Sequence, residues 1–267
     1  MLRICIAGAT GWVGQALVPA IEAAPDLALV GAVARSGAGR PLSQLVPGYG
    51  GHVRLSGSVA EALDAHPSEV LVEYTAPEAA RAHALEAIRR GVHVVVGTSG
   101  LDEDDFHELD AAARDHGVGV LAAGNFAITA VLLQRFAVEA ARHLPTWEIL
   151  DYSAGGKLDA PSGTARELAR RISEVGRPAL EVPVEETQGY PQARGLSLHG
   201  TQVHSVRVPG FVIGVEAIFG RDNERLSLRY DGGSGAEPYV AGTLMAARRV
   251  DGFVGLKRGL DVVMDAG

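Results

Sequence analysis

Lys157 stands five residues ahead of Ser162-Gly163-Thr164, in the stretch KLDAPSGTA, and the residues that follow have helical spacing. A lysine beside a small-residue turn that opens a helix is suited to holding an anion. Backbone N–H groups and the helix dipole face it from one side, and an ammonium from another. A second chemical signature lies at the other end of the chain, in RICIAGATGWVGQAL, where Gly8, Gly11 and Gly14 follow an apolar run and enter a helical pattern. GxxGxxG is the short-spaced form of the dinucleotide fingerprint. Its glycines permit a tight turn, close approach to a pyrophosphate and close helix–strand packing. Thr10, Trp12 and Val13 complete that turn.

A carboxylate about 20 positions past the last glycine marks a site for NAD, because it bonds the ribose 2′-hydroxyl. Here that position is Ala34, followed by Arg35. A missing acid and a present guanidinium suit a 2′-phosphate, so NADPH is expected over NADH, which would bind more weakly. EYTAPE, with Tyr74 and Thr75, and GTSG, with Gly97 and Thr98, end two further apolar runs. In a parallel sheet such turns line the cofactor crevice. Pro77 also suits a first helical turn, so part of that signal is capping chemistry.

The elements that must position these groups can be read from periodicity. Near-continuous apolar runs at 2–9, 27–34, 69–75, 92–97 and 118–123 predict buried strands, with helices over 12–23, 77–90 and 103–116 between several of them. That alternation implies a parallel sheet covered on both faces. Residues 37–57 are rich in Gly, Pro and Ser and read as a loop. Past residue 126 the pattern changes to a helix at 129–143, a strand at 148–153, a helix from 162 to about 175, β-rich runs at 196–208, 211–219 and 225–230, and a helix at 238–249. The fold class expected is α/β, an N-terminal Rossmann-type domain at 1–126 followed by an α+β domain with an open mixed sheet at 127–235. The C-terminal 236–267 is expected to pack back onto the first domain.

With 47% hydrophobic and 21% charged residues, the chain can bury a full core. A net charge of −8 without a Lys/Arg cluster argues against a nucleic-acid partner, though not against a small anion in a local basic pocket. No apolar run approaches the ~18 residues of a membrane helix, and no signal peptide is evident, so a cytoplasmic protein is expected. The single cysteine, Cys5, lies inside an apolar run and reads as a buried structural thiol. The nine histidines show no HxH or HExxH spacing, so no metal site is expected. GxSxG and P-loop patterns are absent from the sequence.

KLDAPSGTA, taken with GATGWVG, EYTAPE, GTSG, GNF at 124–126 and VHSVR at 203–207, resembles the dihydrodipicolinate (4-hydroxy-tetrahydrodipicolinate) reductase family over nearly the whole chain. The resemblance implies a two-domain, tetrameric, NAD(P)H-dependent reductase. It assigns Asn125 and Phe126 to the cofactor site, and it puts Lys157, Ser162, Gly163 and Thr164 on a carboxylate of a cyclic substrate. The departures carry as much weight. Where the family has a His-His pair, its first member the proposed proton donor, this chain has Ser153 and Ala154. Where the family reads Gly-Glu-His after HSxR, this chain reads Gly214-Val215-Glu216. A later Ser-Arg is replaced within DGGSGAEPY at 231–239.

Hydride addition to a C=N or activated C=C bond needs a positioned nicotinamide, an anchored substrate and a proton. Lys157 is the one candidate acid at a matched position, with Tyr152, Asp151 and His204 able to share the role. A protonated imine needs no dedicated acid. The expected function is NADPH-dependent reduction of a carboxylated cyclic imine or related unsaturated heterocycle. The alternatives are the family's lysine-pathway reaction, a catalytically idle nucleotide sensor, and an amine dehydrogenase working oxidatively. The expected partners are a small carboxylated substrate and further copies of the chain.

Overall fold

The computed structural model describes residues 1–265, which divide into two units: Met1–Ile128 with the segment from Ala236 onward, and Thr129–Gly235. In the first unit, strands β1 (Leu2–Ala7), β2 (Leu27–Val33), β3 (Leu55–Ser56), β4 (Val70–Glu73), β5 (His93–Val96) and β6 (Gly119–Ala122) alternate with helices. These are α1 (Trp12–Ala23), α2 (Val59–Ala65), α3 (Pro77–Ile88) and α4 (Glu103–His116). All four residues of β4 are buried, as are those of β6. Burial on both faces is why these strands read as unbroken apolar runs. α4 starts on a reciprocal capping box between Asp102 and Asp105 and ends on Gly117 at φ 67°, so its limits follow directly from the sequence.

The second unit starts with α5 (Ile128–Ala141), β7 (Thr146–Ser153) and α6 (Gly163–Ser173). β8 (Leu196–Leu198), β9 (Thr201–Arg207), β10 (Ile213–Arg221) and β11 (Glu224–Gly232) complete it. The chain then continues as α7 (Glu237–Arg249), β12 (Gly255–Arg258) and the short α8 (Asp261–Met264).

The first sheet has the order β12-β6-β5-β4-β1-β2-β3 with every pair parallel. It runs outward from β1 to β2 and β3 on one side, and through β4, β5 and β6 on the other. This is a doubly wound arrangement with a crevice at the carboxyl ends of the strands. The second sheet has the order β11-β10-β7-β9-β8; β7 and β9 are parallel, joined by a crossover through α6, and the other pairs are antiparallel. α6 buries Ala165, Leu168, Ala169 and Ile172, one stripe at i, i+3, i+4 and i+7, and packs against β7, β8 and β9.

Two expectations are revised. Residues 37–57, read as loop, contain a 3₁₀ turn at Leu42–Gln44 and β3, and α2 follows unannounced. With seven residues, α2 is too short for periodicity to show, and its mark is the Ser58 cap accepting the Glu61 N–H. The run at 196–208 is not one strand. His199 at φ 54° and Gly200 at φ 89° turn it back as a tight hairpin between β8 and β9.

Candidate active site

The glycine turn lies between β1 and α1. Gly8 has φ 88°, and a Cβ there would sit 2.0 Å from the Tyr74 carbonyl oxygen. At Gly14 it would sit 2.2 Å from the Gly8 oxygen. The turn is therefore closed to side chains by geometry. Gly11 caps α1 without any side-chain hydrogen bond, and the first turn carries no acid. A helix N-terminus with neither a competing cap nor a negative charge fits a pyrophosphate. Gln15 Nε2 donates to the Thr10 carbonyl at 2.9 Å. Trp12 is exposed and meets Tyr239 edge-to-face, with centroids 5.5 Å apart. Val13 is half-buried, and Arg35 is exposed just past β2.

The other candidates of this unit divide into surface and support. Tyr74 packs its ring over Gly97, edge-to-face on Phe126 at 5.9 Å, and its hydroxyl is 2.8 Å from Thr243 Oγ1. Burial pushes the Tyr74 phenol well above its ordinary value. Phe126 is 1% exposed, so its side chain belongs to the core and only its backbone could face a ligand. Asn125 Oδ1 accepts the Ala127 N–H at 2.8 Å and so shapes the chain after β6. Thr75 is exposed and Thr98 half-buried, and both hydroxyls donate to the buried Glu73. Cys5 is fully buried, its thiol pushed up to about 12, which makes it inert.

In the second unit the lysine loop follows β7. Lys157 is exposed, with Nζ 2.7 Å from Asp159 Oδ1. That contact holds the Asp159 carboxyl below its ordinary value. Ser162 caps α6 by accepting the Ala165 N–H at 3.3 Å, and its own N–H donates to Asp151 Oδ2 at 2.8 Å. Being 1% exposed and so engaged, Ser162 has only its hydroxyl proton left to offer. Gly163 and Thr164, which open α6, are exposed and half-buried respectively. Asp151 is fully buried and also accepts from Ser205 Oγ at 3.2 Å and from the Arg207 guanidinium at 2.7 Å. Arg207 donates a further bond of 2.9 Å to the Asp159 carbonyl. Asp151 and Arg207 thus fasten both ends of the turn from 159 to 162.

Tyr152 and His204, read from sequence as candidate acids, take other partners. Side chains alternate along β7, so Asp151 and Ser153 face α6 and Tyr152 points to the opposite face. There its hydroxyl donates to Glu216 Oε2 at 3.2 Å, while its ring lies on Phe211 and under Arg229. Burial and the Glu216 carboxylate raise its pKa. His204 Nε2 is 2.8 Å from Glu148 Oε2, whose other oxygen accepts from Arg194 at 2.9 Å. Neither is hydrogen-bonded to Lys157 or to the Ser162–Thr164 turn among the described residues, though His204 lines a cavity with Ala160 and Pro161. In this structure both belong to polar contacts on that opposite face, Tyr152 with Glu216 and His204 with Glu148. The residues missed from sequence are Glu73 and Arg207. Glu73 was visible as a lone charge ending the run VLVE, and Arg207 as the last residue of VHSVR.

No group of three or more His, Cys, Asp or Glu side chains able to hold a metal occurs among the described residues. No helix among them is long and apolar enough to cross a membrane.

Comparison with known proteins matches both units in order. The family model for dihydrodipicolinate reductase, N-terminus, matches residues 2–126, and that for its C-terminus matches residues 129–260. A 4-hydroxy-tetrahydrodipicolinate reductase of Desulfitobacterium hafniense is 36% identical over 261 residues, 97% of each chain. That of Bacillus subtilis is 34% identical over 264 residues, 99% of this chain and 98% of the relative. A solved, dipicolinate-bound dihydrodipicolinate reductase from Paenisporosarcina sp. TG-14 superposes with TM-score 0.88 at 28% identity, covering 99% of this chain and 100% of that one. An amine dehydrogenase from Mycobacterium smegmatis gives TM-score 0.65 at 16% identity over 96% and 94% of the two chains, a likeness of fold alone. Aligned end to end with such relatives and matched in both halves, the chain belongs to the dihydrodipicolinate reductase family.

Proposed function

We propose that this dihydrodipicolinate reductase-like oxidoreductase uses NADPH to reduce a carboxylated cyclic imine or a related unsaturated heterocycle. The observation that carries this reading is the turn from Lys157 to Thr164, in which an exposed ammonium precedes a helix N-terminus pinned by buried Asp151. A bound nicotinamide nucleotide supplies the hydride. The chain's residues bind, orient and desolvate. Lys157 exchanges its contact with Asp159 for the substrate carboxylate, and the Gly163 and Thr164 N–H groups meet the same anion along the α6 axis. Asp151 and Arg207 hold that turn so the donors do not reorganise as substrate binds. An iminium arrives already protonated, which fits a site with Ser153 and Ala154 in place of the family's histidines.

The solved relative's bound dipicolinate, a heterocycle carrying two carboxylates, supports this substrate class. The second reading, the lysine-pathway reaction itself, is favoured by the names of relatives at 34% and 36% identity. NADPH oxidation measured against a panel of cyclic imino acids, the lysine-pathway intermediate included, tests both. With the true substrate, Lys157→Ala is expected to raise KM about ten- to two-hundredfold, the value of one charge-assisted hydrogen bond of ~1.5–3 kcal/mol. An unchanged KM would remove Lys157 from the anion site.

NADPH preference rests on Ala34 and on the exposed guanidinium of Arg35. Arg35→Ala is expected to weaken NADPH by ~1.5–3 kcal/mol and to leave NADH nearly unaffected. Equal affinities for the two cofactors, unmoved by the substitution, would end that assignment. We also read the protein as a cytoplasmic homotetramer built through the second sheet. Exposed Leu196, Val208, Val212 and Leu226 in and beside that sheet support this. Light scattering that shows a monomer at micromolar concentration would refute it.

A further inference from the structure

β4 ends in Glu73, whose side chain is fully buried. A carboxylate in such a place is costly unless donors surround it. Three converge here: the Thr75 N–H at 3.1 Å, the Thr75 hydroxyl and the Thr98 hydroxyl. His83 Nδ1 stands 3.4 Å from Oε1, the oxygen bonded by Thr75. Thr98 Oγ1 in turn accepts the Thr75 N–H at 2.8 Å. An ionised carboxylate only accepts, and a hydroxyl has one proton and two acceptor lone pairs. Both threonine protons are therefore committed inward. The side of the pair that faces solvent offers lone pairs, one of them still open on Thr98 Oγ1.

Topology says which half of a dinucleotide these oxygens serve. A nucleotide in a doubly wound sheet lies across the switch point. Arg35 follows β2 on one side of β1, whereas Thr75 and Thr98 follow β4 and β5 on the other. With the 2′-phosphate assigned to Arg35, the nicotinamide half falls to β4 and β5. Its ring carries one strong donor, the carboxamide N–H₂, whereas the ribose hydroxyls both donate and accept and so do not call for an acceptor-only partner.

We propose that Glu73 is a positioning residue that sets the hydrogen-bond polarity of the Thr75–Thr98 pair, making it an acceptor-only cradle selective for the carboxamide of the cofactor. This rests on reading the chain as a nicotinamide-nucleotide reductase. The pair rejects ring analogues that lack a donor, because a ketone oxygen would face a lone pair.

Titration calorimetry with NADPH and with its reduced 3-acetylpyridine analogue, a methyl ketone without an N–H, tests the inference. The intact chain is expected to bind the carboxamide cofactor about three- to tenfold more tightly, the worth of one hydrogen bond. Thr98→Val brings that ratio close to one, and Thr98→Ser keeps it. Glu73→Gln lowers it, because its amide donates to one threonine oxygen and releases that hydroxyl proton to point outward. Affinity for 2′,5′-ADP, which lacks the nicotinamide half, is expected to stay constant throughout. Equal binding of both cofactors by the intact chain overturns the proposal alone. So does an unchanged ratio in Glu73→Gln or, should that variant not fold, in Thr98→Val. Failure of the intact chain to bind either nucleotide overturns the nicotinamide reading and this inference with it.

Discussion

The lysine-pathway intermediate is expected to be turned over some 10²–10⁴-fold more slowly than the chain's own substrate, the usual contribution of a general acid. The family's proposed acid would occupy position 153. Here that residue is a serine closing β7, fully buried, facing α6, with its Oγ lacking a hydrogen-bond partner. Ala154 is exposed and carries no acid. Tyr152 and His204 are tied to Glu216 and Glu148. Of the candidate acids this leaves Lys157, whose ammonium is the one proposed to hold the substrate carboxylate. A substrate that must gain a proton as hydride arrives is therefore disfavoured against a preformed iminium. Restoring histidines would not repair this. Ser153→His forces an imidazole into a filled site, and overpacking typically costs ~1–3 kcal/mol. Ala154→His is tolerated without raising turnover of the true substrate. Stopped-flow measurement of NADPH oxidation checks the point. A kcat on the lysine-pathway intermediate of ~1–10³ s⁻¹, ordinary for enzymes, would favour the family's own reaction instead.

Arg207→Leu is expected to destabilise the second unit by about 3 kcal/mol, because it removes the cation that pairs with Asp151 among the described residues. The Asp151 side chain is fully buried and that of Arg207 is 16% exposed, so solvent screens the pair little. Removing one member of a buried pair typically costs ~3–5 kcal/mol, and the lower end applies because Ser162 and Ser205 still donate to Asp151. Arg207→Lys keeps the charge but loses the fork that also reaches the Asp159 carbonyl, and should fall between. The pH dependence has a definite sign. Burial pushes the Asp151 carboxyl up, but the Ser162 and Arg207 hydrogen bonds outweigh it and hold the pKa below the ordinary value. A depressed carboxyl contributes stability in full above its unfolded value of ~3.9 and loses it as pH falls below that. Urea titrations at neutral pH and near pH 3 should therefore show the variant's deficit shrinking in acid. An unchanged midpoint at neutral pH would mean that the pair does not brace the turn. The surviving fold should also show a raised substrate KM with NADPH affinity intact.

Much of the molecule was legible in the order of residues alone. Helices at 12–23 and 103–116 coincide with α1 and α4, since a 3.6-residue period and local caps are properties of neighbouring residues. The glycine turn was legible because each glycine answers a local steric demand. α2 was not, and neither was the β8–β9 turn, because seven residues or a two-residue bend carry little periodic signal. Trp12 and Phe126 differ in the same way. Both stand in motifs, yet one is exposed and the other is core, and sequence spacing does not distinguish them.

What the amino-acid sequence determined by itself was the order of elements, the two turns proposed as anion sites and the family, because these depend on residues close along the chain. Only the tertiary structure decided how those turns are held. Arg207 meets Asp151 across 56 positions, and Thr98 meets Glu73 across 25. The sheet register likewise turned Asp151 toward the turn at 159–162 and Tyr152 away from it. A one-residue step along a strand reverses the face a side chain occupies. Which face is buried is settled only when distant strands and helices pack against it.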